Sequence, residues 1–216
     1  RIALQRLGVL ANPIVTDVGS GLKIRQLPDD PMRMDEAMRL WTDNRMRRRV
    51  IVDRLVAIAQ DPSTSILYFG PTVEDAHAVA LLLRLRGIQA QGVDGGTRRE
   101  VRRLLIQRFR QRELQVLCNC ELLTTGFDSP KVTHVVVGRP TTSQVLYEQM
   151  VGRGLRGPKF GGTAECHILD IIDGFMGTTK PSLGFEAFRA HWQVARLRLD
   201  GPSPYHDARS SGELSA

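Results

Sequence analysis

Arg153 and Arg156 stand three residues apart among Gly152, Gly154 and Gly157. Two guanidinium groups on a glycine-rich backbone form a cationic hook, because glycine lets the chain bend freely. Such a pair suits charge that develops on a phosphoryl group in transfer, the chemistry of an arginine finger. A lone R-x-x-R also fits a solvated helix face; here the glycines and the block upstream favour the hook. Two other groups suit polyanions. Gly95-Gly96-Thr97-Arg98-Arg99 opens a charged helix, where free N–H groups and paired arginines fit an anion; the alternative is an ordinary glycine turn and helix cap. Phe69-Gly70-Pro71-Thr72 follows a short apolar run, so its hydroxyl and backbone N–H groups sit at a strand end, where phosphates are held without reading bases. Phe69 itself is either a core residue or a stacking platform. The Arg45–Arg49 run reads as a solvated helix face.

Other chemistry is missing. No G-x-x-x-x-G-K-[ST] phosphate loop occurs, and none of the four lysines precedes Ser or Thr. Asp35-Glu36-Ala37-Met38 imitates a magnesium-binding acidic box, but such a carboxylate ends a buried apolar strand, and this one follows Pro31-Met32-Arg33-Met34. It reads as a helix start. The five histidines show no ligand spacing, so no metal site is expected. Three cysteines, Cys118, Cys120 and Cys166, argue against a secreted disulfide framework. Cys118 and Cys120, two apart in an apolar run, read as packing thiols on one face of a strand.

These groups need a scaffold. Short apolar runs at 66–69, 88–92, 115–118, 133–137 and 166–172 predict strands, and amphipathic stretches at 47–59, 72–86, 98–110 and 142–151 predict helices, with another starting at Asp35. Strands alternating with helices of this length predict an α/β fold, a mainly parallel sheet covered on both faces. Its strand C-terminal ends then share one edge, where ligands bind. Residues 1–50, broken by Asn12-Pro13, Gly19-Ser20-Gly21 and Pro28-Asp29-Asp30-Pro31, predict a connecting segment outside the core. The domain is expected over 51–175, a helical extension over 176–200 and a disordered tail over 201–216.

The 216 residues carry a net charge of +7, with 26 arginines against four lysines. That balance favours polyanionic partners through counterion release and bidentate phosphate contact. No window approaches eighteen apolar residues and no leader opens the chain, so a cytoplasmic protein with no membrane segment is expected. The first residue is Arg1, not Met, so the chain reads as a fragment.

The block from Leu122 to Gly157 carries a specific resemblance. Thr124-Thr125-Gly126-Phe127-Asp128-Ser129-Pro130 resembles motif V of superfamily 2 helicases, and Gln149-Met150-Val151-Gly152-Arg153-Gly154-Leu155-Arg156 resembles their motif VI. Arg139-Pro140-Thr141 with Ser143 resembles the RPT-x-S linker of restriction, repair and phage translocases, and 66–72 resembles motif IV. The resemblance covers roughly residues 50–175. It implies a RecA-like, P-loop-NTPase-type sheet: the second helicase domain, without its own Walker A. It implies that Arg153 and Arg156 reach the γ-phosphate of ATP, that Gln149 contacts the same region, and that Gly126 and Asp128 meet the ribose or the catalytic water. For Asp128 the alternative is a turn cap before Pro130. It further implies nucleic-acid contacts at Phe69, Gly70, Thr72, Arg98, Arg99, Thr124 and Thr125. Motif V often has Glu where Thr125 stands. ATP and Mg²⁺ would be held mainly by an upstream RecA-like domain of the same polypeptide, and 7–13 resembles the segment leaving that domain. The partner would be nucleic acid, DNA in preference to RNA. The competing reading is a non-catalytic nucleic-acid-binding module of the same fold.

Overall fold

The computed structural model describes residues 1–24, 38–120, 131–141, 143–175 and 195–196. A short helix α1 (Ile2–Arg6) leads into the long strand β1 (Asn12–Ile24), and one helical turn, α2, is described over 38–43. Then come α3 (Arg45–Ala59), β2 (Ile66–Phe69), α4 (Val73–Leu85), β3 (Ala90–Val93), α5 (Arg99–Arg110), β4 (Val116–Asn119), β5 (His134–Val137), α6 (Gln144–Gly152), β6 (Glu165–Phe175) and the two-residue strand β7 (Ala195–Arg196). Local chemistry sets the helix starts. The side chains of Asn44, Thr72 and Ser143 each accept a backbone N–H of the first turn of α3, α4 and α6, satisfying donors the helix cannot. Gly87, at φ +79, closes α4 in the left-handed region that favours glycine.

The seven strands form one sheet in the order β3-β4-β2-β5-β6-β1-β7, every pair parallel. All four residues of β2 and of β4 are buried, as a sheet covered on both faces requires. Leu67, Phe69, Val135 and Ile168 pack with Leu105 and Phe109 of α5 and Tyr147 and Met150 of α6. On the other face Ile66, Tyr68, Val136 and Leu169 meet Ile51 and Leu55 of α3 and Val79 and Leu83 of α4. The layered α/β expectation is thus realised.

One expectation is corrected. Residues 12–24 do not lie outside the core: β1 pairs with β6 from Asn12↔Glu165 to Ile24↔Phe175. Its register slips between Gly19 and Lys23, and Gly21 sits at φ +75. The glycines that read as a turn mark a bulge inside a long strand. Of 176–200, only Ala195–Arg196 is described, as a strand beside Ile14 and Val15; the remainder of the expected helical extension, the tail 201–216 and the Asp35-Glu36 pair lie outside the described residues.

The Arg45–Arg49 run is also corrected at its centre. Arg47 is 1% exposed and its Nε donates to Asp173 Oδ1 at 2.9 Å, while Nη2 donates to Asp173 Oδ2 at 3.1 Å and to Gly138 O at 2.6 Å. Trp41 Nε1 and Ser20 Oγ also donate to the Asp173 carboxylate. This buried network ties β1, α2, α3, β6 and the residue after β5 at the strand C-terminal edge.

Candidate functional site

Helix α6 carries the arginine hook, and its position is fixed before the hook begins. Tyr147 is fully buried and its hydroxyl donates to the Asp170 carboxylate at 2.8 Å. Burial, reinforced by that carboxylate, pushes the Tyr147 hydroxyl far above its ordinary pKa, so it stays a donor. Gln149 is half-buried two residues on, and Arg153 caps the helix one turn beyond it. Arg156 follows, also half-buried, in an antiparallel bridge with Leu10.

Gly154 and Gly157 do not give freedom to move; they permit close approach. A Cβ on Gly154 would lie 2.4 Å from Cys166 Sγ and 2.7 Å from Val135 Cγ2. A Cβ on Gly157 would lie 2.3 Å from Gly8 O. Ala11 N donates to Leu155 O at 3.0 Å, Gly157 N to Val9 O at 3.0 Å and Lys159 N to Gly8 O at 2.9 Å. The backbone bearing both arginines is therefore clamped between the sheet and residues 8–11. A clamped cation needs no reorganisation when charge develops.

The other site residues lie elsewhere. Leu10, Leu155 and Arg156 sit where β1 and β6 begin, whereas Phe69, Gly70, Thr72 and the start of α5 sit where β2 and β3 end. At ~3.3 Å rise per strand residue, the run of β6 between the two edges spans roughly 25 Å. The described candidate residues thus occupy two opposite edges rather than one.

Motif IV is corrected in part. Phe69 is 0% exposed and packs among Leu67, Leu117 and Phe109, so it is core and offers no face to a base. Gly70 is buried, its N–H donating to Asn119 O at 2.7 Å, and a Cβ there would come 3.0 Å from Asp75 Oδ2. Thr72 caps α4, and its hydroxyl also lies 2.9 Å from Thr42 Oγ1. Thr72 lines a cleft of about 590 Å³ together with Thr42, Pro71, Glu74, Cys120 and Arg139 among others. Arg139 is the residue that motif reading left without a role. Its Nη1 donates to Pro71 O at 2.8 Å and Cys120 Sγ at 3.2 Å, joining the loops after β2, β4 and β5. The only signal for it was its place in the Arg139-Pro140-Thr141 run.

Arg98 and Arg99 are exposed at the start of α5, which has no side-chain cap. The turn before them is rigid: Asp94 and Thr97 exchange hydrogen bonds of 2.8 and 3.0 Å, and Arg102 Nη2 donates to the carbonyls of Asp94, Gly95 and Thr97. Thr124, Thr125, Gly126 and Asp128 fall outside the described residues. The chain leaves β4 at one edge, and Lys131 precedes β5 at the other.

Cys118 and Cys166 are buried, and burial pushes the Cys166 thiol up to about 12 and Cys118 higher still; both are inert packing thiols. Cys120 departs from that expectation, since it lies beyond the end of β4, half-buried against Arg139. Among the described residues no three His, Cys, Asp or Glu side chains could hold a metal ion, and no helix is long and apolar enough to cross a membrane.

Residues 48–157 match the helicase conserved C-terminal domain. The chain belongs to this helicase family. It is 39% identical over 110 residues to a Saccharomyces cerevisiae protein assigned as the ATP-dependent helicase IRC3, a stretch that is 50% of this chain and 15% of the yeast protein. Its fold matches a fragment of an HsdR subunit of a type I restriction enzyme from Vibrio vulnificus, with TM-score 0.57, 22% identity, and 76% of this chain on 32% of that one. It also matches a DEAD box protein from Methanococcus jannaschii, with TM-score 0.53, 16% identity, and coverage of 87% and 42%. The sheet is the RecA-like one of superfamily 2 helicases. The matched region thus spans a small part of the full-length relatives.

Behind the hook of this helicase domain, on the opposite sheet face, His134 and His167 stack with ring centroids 4.6 Å apart and planes 11° from parallel. Burial, with the neighbouring His167, pushes the His134 imidazole down to about 4, and burial lowers His167 too. The unfolded chain, with His near 6.5, therefore takes up protons first as pH falls. The stabilisation is fully present above pH ~6.5 and is lost progressively toward the folded value. Between pH 7 and 5, His134 is expected to cost about 2 kcal/mol. Urea midpoints for wild type and His134→Phe at those two pH values check this: the variant keeps an aromatic stack and should lose less on acidification.

Proposed function

We propose that this chain is the second of two RecA-like domains in an ATP-dependent nucleic-acid helicase or translocase, and that it acts on ATP held mainly by the first. The clamped loop bearing Arg153 and Arg156 is the observation that carries this reading. ATP with Mg²⁺ supplies the phosphoryl group that is transferred to water. The donor set fits that role from one side: two guanidiniums on a fixed backbone match phosphate oxygens bidentately, and the sequence has no phosphate loop to cradle the triphosphate itself. Arg153 and Arg156 then neutralise charge as it grows on the phosphoryl oxygens. Gln149, one turn before Arg153, orients that region; contact of Gly126 and Asp128 with the ribose or the water is what the motif V resemblance implies.

Nucleic acid runs along the strand C-terminal edge, held by Arg98 and Arg99, with Thr72 shaping the cleft through α4; Thr124 and Thr125 are the further contacts that the motif V resemblance implies. DNA is the favoured substrate, because the Thr124–Pro130 and Arg139–Ser143 wording resembles restriction and phage translocases.

The half-site reading has a direct consequence. The 216-residue chain alone should hydrolyse no ATP above background, with or without an oligonucleotide. Stoichiometric, Mg²⁺-dependent turnover by the purified chain would refute it.

A further inference from the structure

We propose that the outward flank of α5 is a second contact for the phosphate backbone of duplex DNA, centred on Arg103 and continuing from the arginines at the helix start. The proposal rests on the nucleic-acid reading above and carries the contact beyond the strand-end loops. Residues 98–113 hold seven arginines and two glutamates, so a net +5 of the chain's +7 sits in sixteen residues. At least two of these arginines have structural work, and Arg110 has a partner of its own. Arg102 holds the Asp94–Thr97 turn, and Arg108 pairs with Glu113 at 3.4 Å.

The others point outward. Arg99, Arg103 and Arg110 are all exposed, and at 3.6 residues per turn they fall within about 40° of one another around the helix. The buried face is marked by Leu105 and Phe109, roughly a third of a turn away. Neither Arg99 nor Arg103 makes an ion pair among the described residues. A solvated helix face normally alternates sign, because opposite charges at i,i+4 stabilise the helix and like charges weaken it. Here Arg98 and Arg102, and Arg99 and Arg103, are like-charge pairs at that spacing. The arrangement weakens α5 and concentrates positive potential, which suits a polyanion.

The stripe's course supports one occupant. It starts beyond the C-terminal end of β3, the terminal strand of the sheet, and α5 runs back toward the other edge. From Arg99 to Arg110 is about 16 Å at 1.5 Å per residue. That equals the axial rise of about five nucleotides of one duplex strand. A duplex arm leaving the strand-end loops would lie along it.

The test is the salt dependence of binding by the 216-residue chain to a fluorescent 20-base-pair duplex. Wild type, Arg103→Gln and Arg103→Gln/Arg110→Gln are compared, with Arg49→Gln on α3 as a control. Each lost phosphate contact should weaken binding about tenfold near 0.1 M salt and make the log–log slope shallower by about 0.9. Thermal melts check that the exposed substitutions leave the fold intact. Unchanged slopes in a wild type that binds duplex would overturn the α5 contact alone. Binding to vesicles of anionic lipid in place of duplex would overturn it as well. No salt-sensitive binding by wild type would remove the nucleic-acid reading together with it.

Discussion

Substituting Asp173 with alanine should lower the unfolding free energy of the domain by about 3–5 kcal/mol, the usual cost of stripping a buried charge of its partner. Arg47 and Asp173 are both essentially inaccessible to water, and the carboxylate takes hydrogen bonds from Arg47, Trp41 and Ser20. Without it the guanidinium keeps Gly138 O, and its Nη1 already has no hydrogen-bond partner. Domains of this size are stable by about 5–15 kcal/mol in total, so the loss is a large share. Arg47→Met should cost a similar amount, because it leaves the carboxylate with two neutral donors. The double variant Arg47→Met/Asp173→Ala should fall well short of the sum of the singles, since neither charge is then stranded. Urea unfolding of the four proteins measures the coupling. A loss under about 1 kcal/mol for Asp173→Ala, or strict additivity, would mean that the pair does not hold the edge together.

That network also marks where sequence reasoning stops. Arg47 sits in a run of arginines, and nothing local says that one of them turns inward to a carboxylate 126 residues away. Strand β1 is hidden for a related reason: Gly19 and Gly21 punctuate it, and only a partner strand shows that they form a bulge. Phe69, ending an apolar run, fitted either burial or stacking, and two packed sheet faces decide for burial. What could be read was periodic or local. The four-residue runs of β2, β4 and β5 appeared nearly at their true limits, and the helix start at Thr72 was legible beside them. The hook was legible as a pair of residue types, but its rigidity was not. The contacts of Gly154 with Cys166 and of Gly157 with Gly8 are tertiary, and they invert the meaning of glycine in that loop.

In the protein that carries both domains, Arg153→Ala and Arg156→Ala should each cut nucleic-acid-stimulated ATP turnover by roughly 10³-fold, the scale of an arginine finger. ATP affinity should change far less if, as proposed, a first domain holds the ground state and these arginines act as charge develops. Gly154→Ala should also reduce turnover without touching a charge, since its Cβ would displace the loop from Cys166 and Val135. Both arginines are half-buried, so each variant needs a melting curve beside its kinetics.

On the proposed reading, a fixed guanidinium fork on this domain stabilises a phosphoryl group bound to another. Turnover and ATP affinity of Arg153→Lys, measured together in the two-domain protein, test it most directly, because lysine keeps the charge and removes the fork. Turnover should fall by roughly 10²-fold or more, with ATP affinity close to wild type and an unchanged melting transition. Near-normal turnover with lysine in place would contradict it.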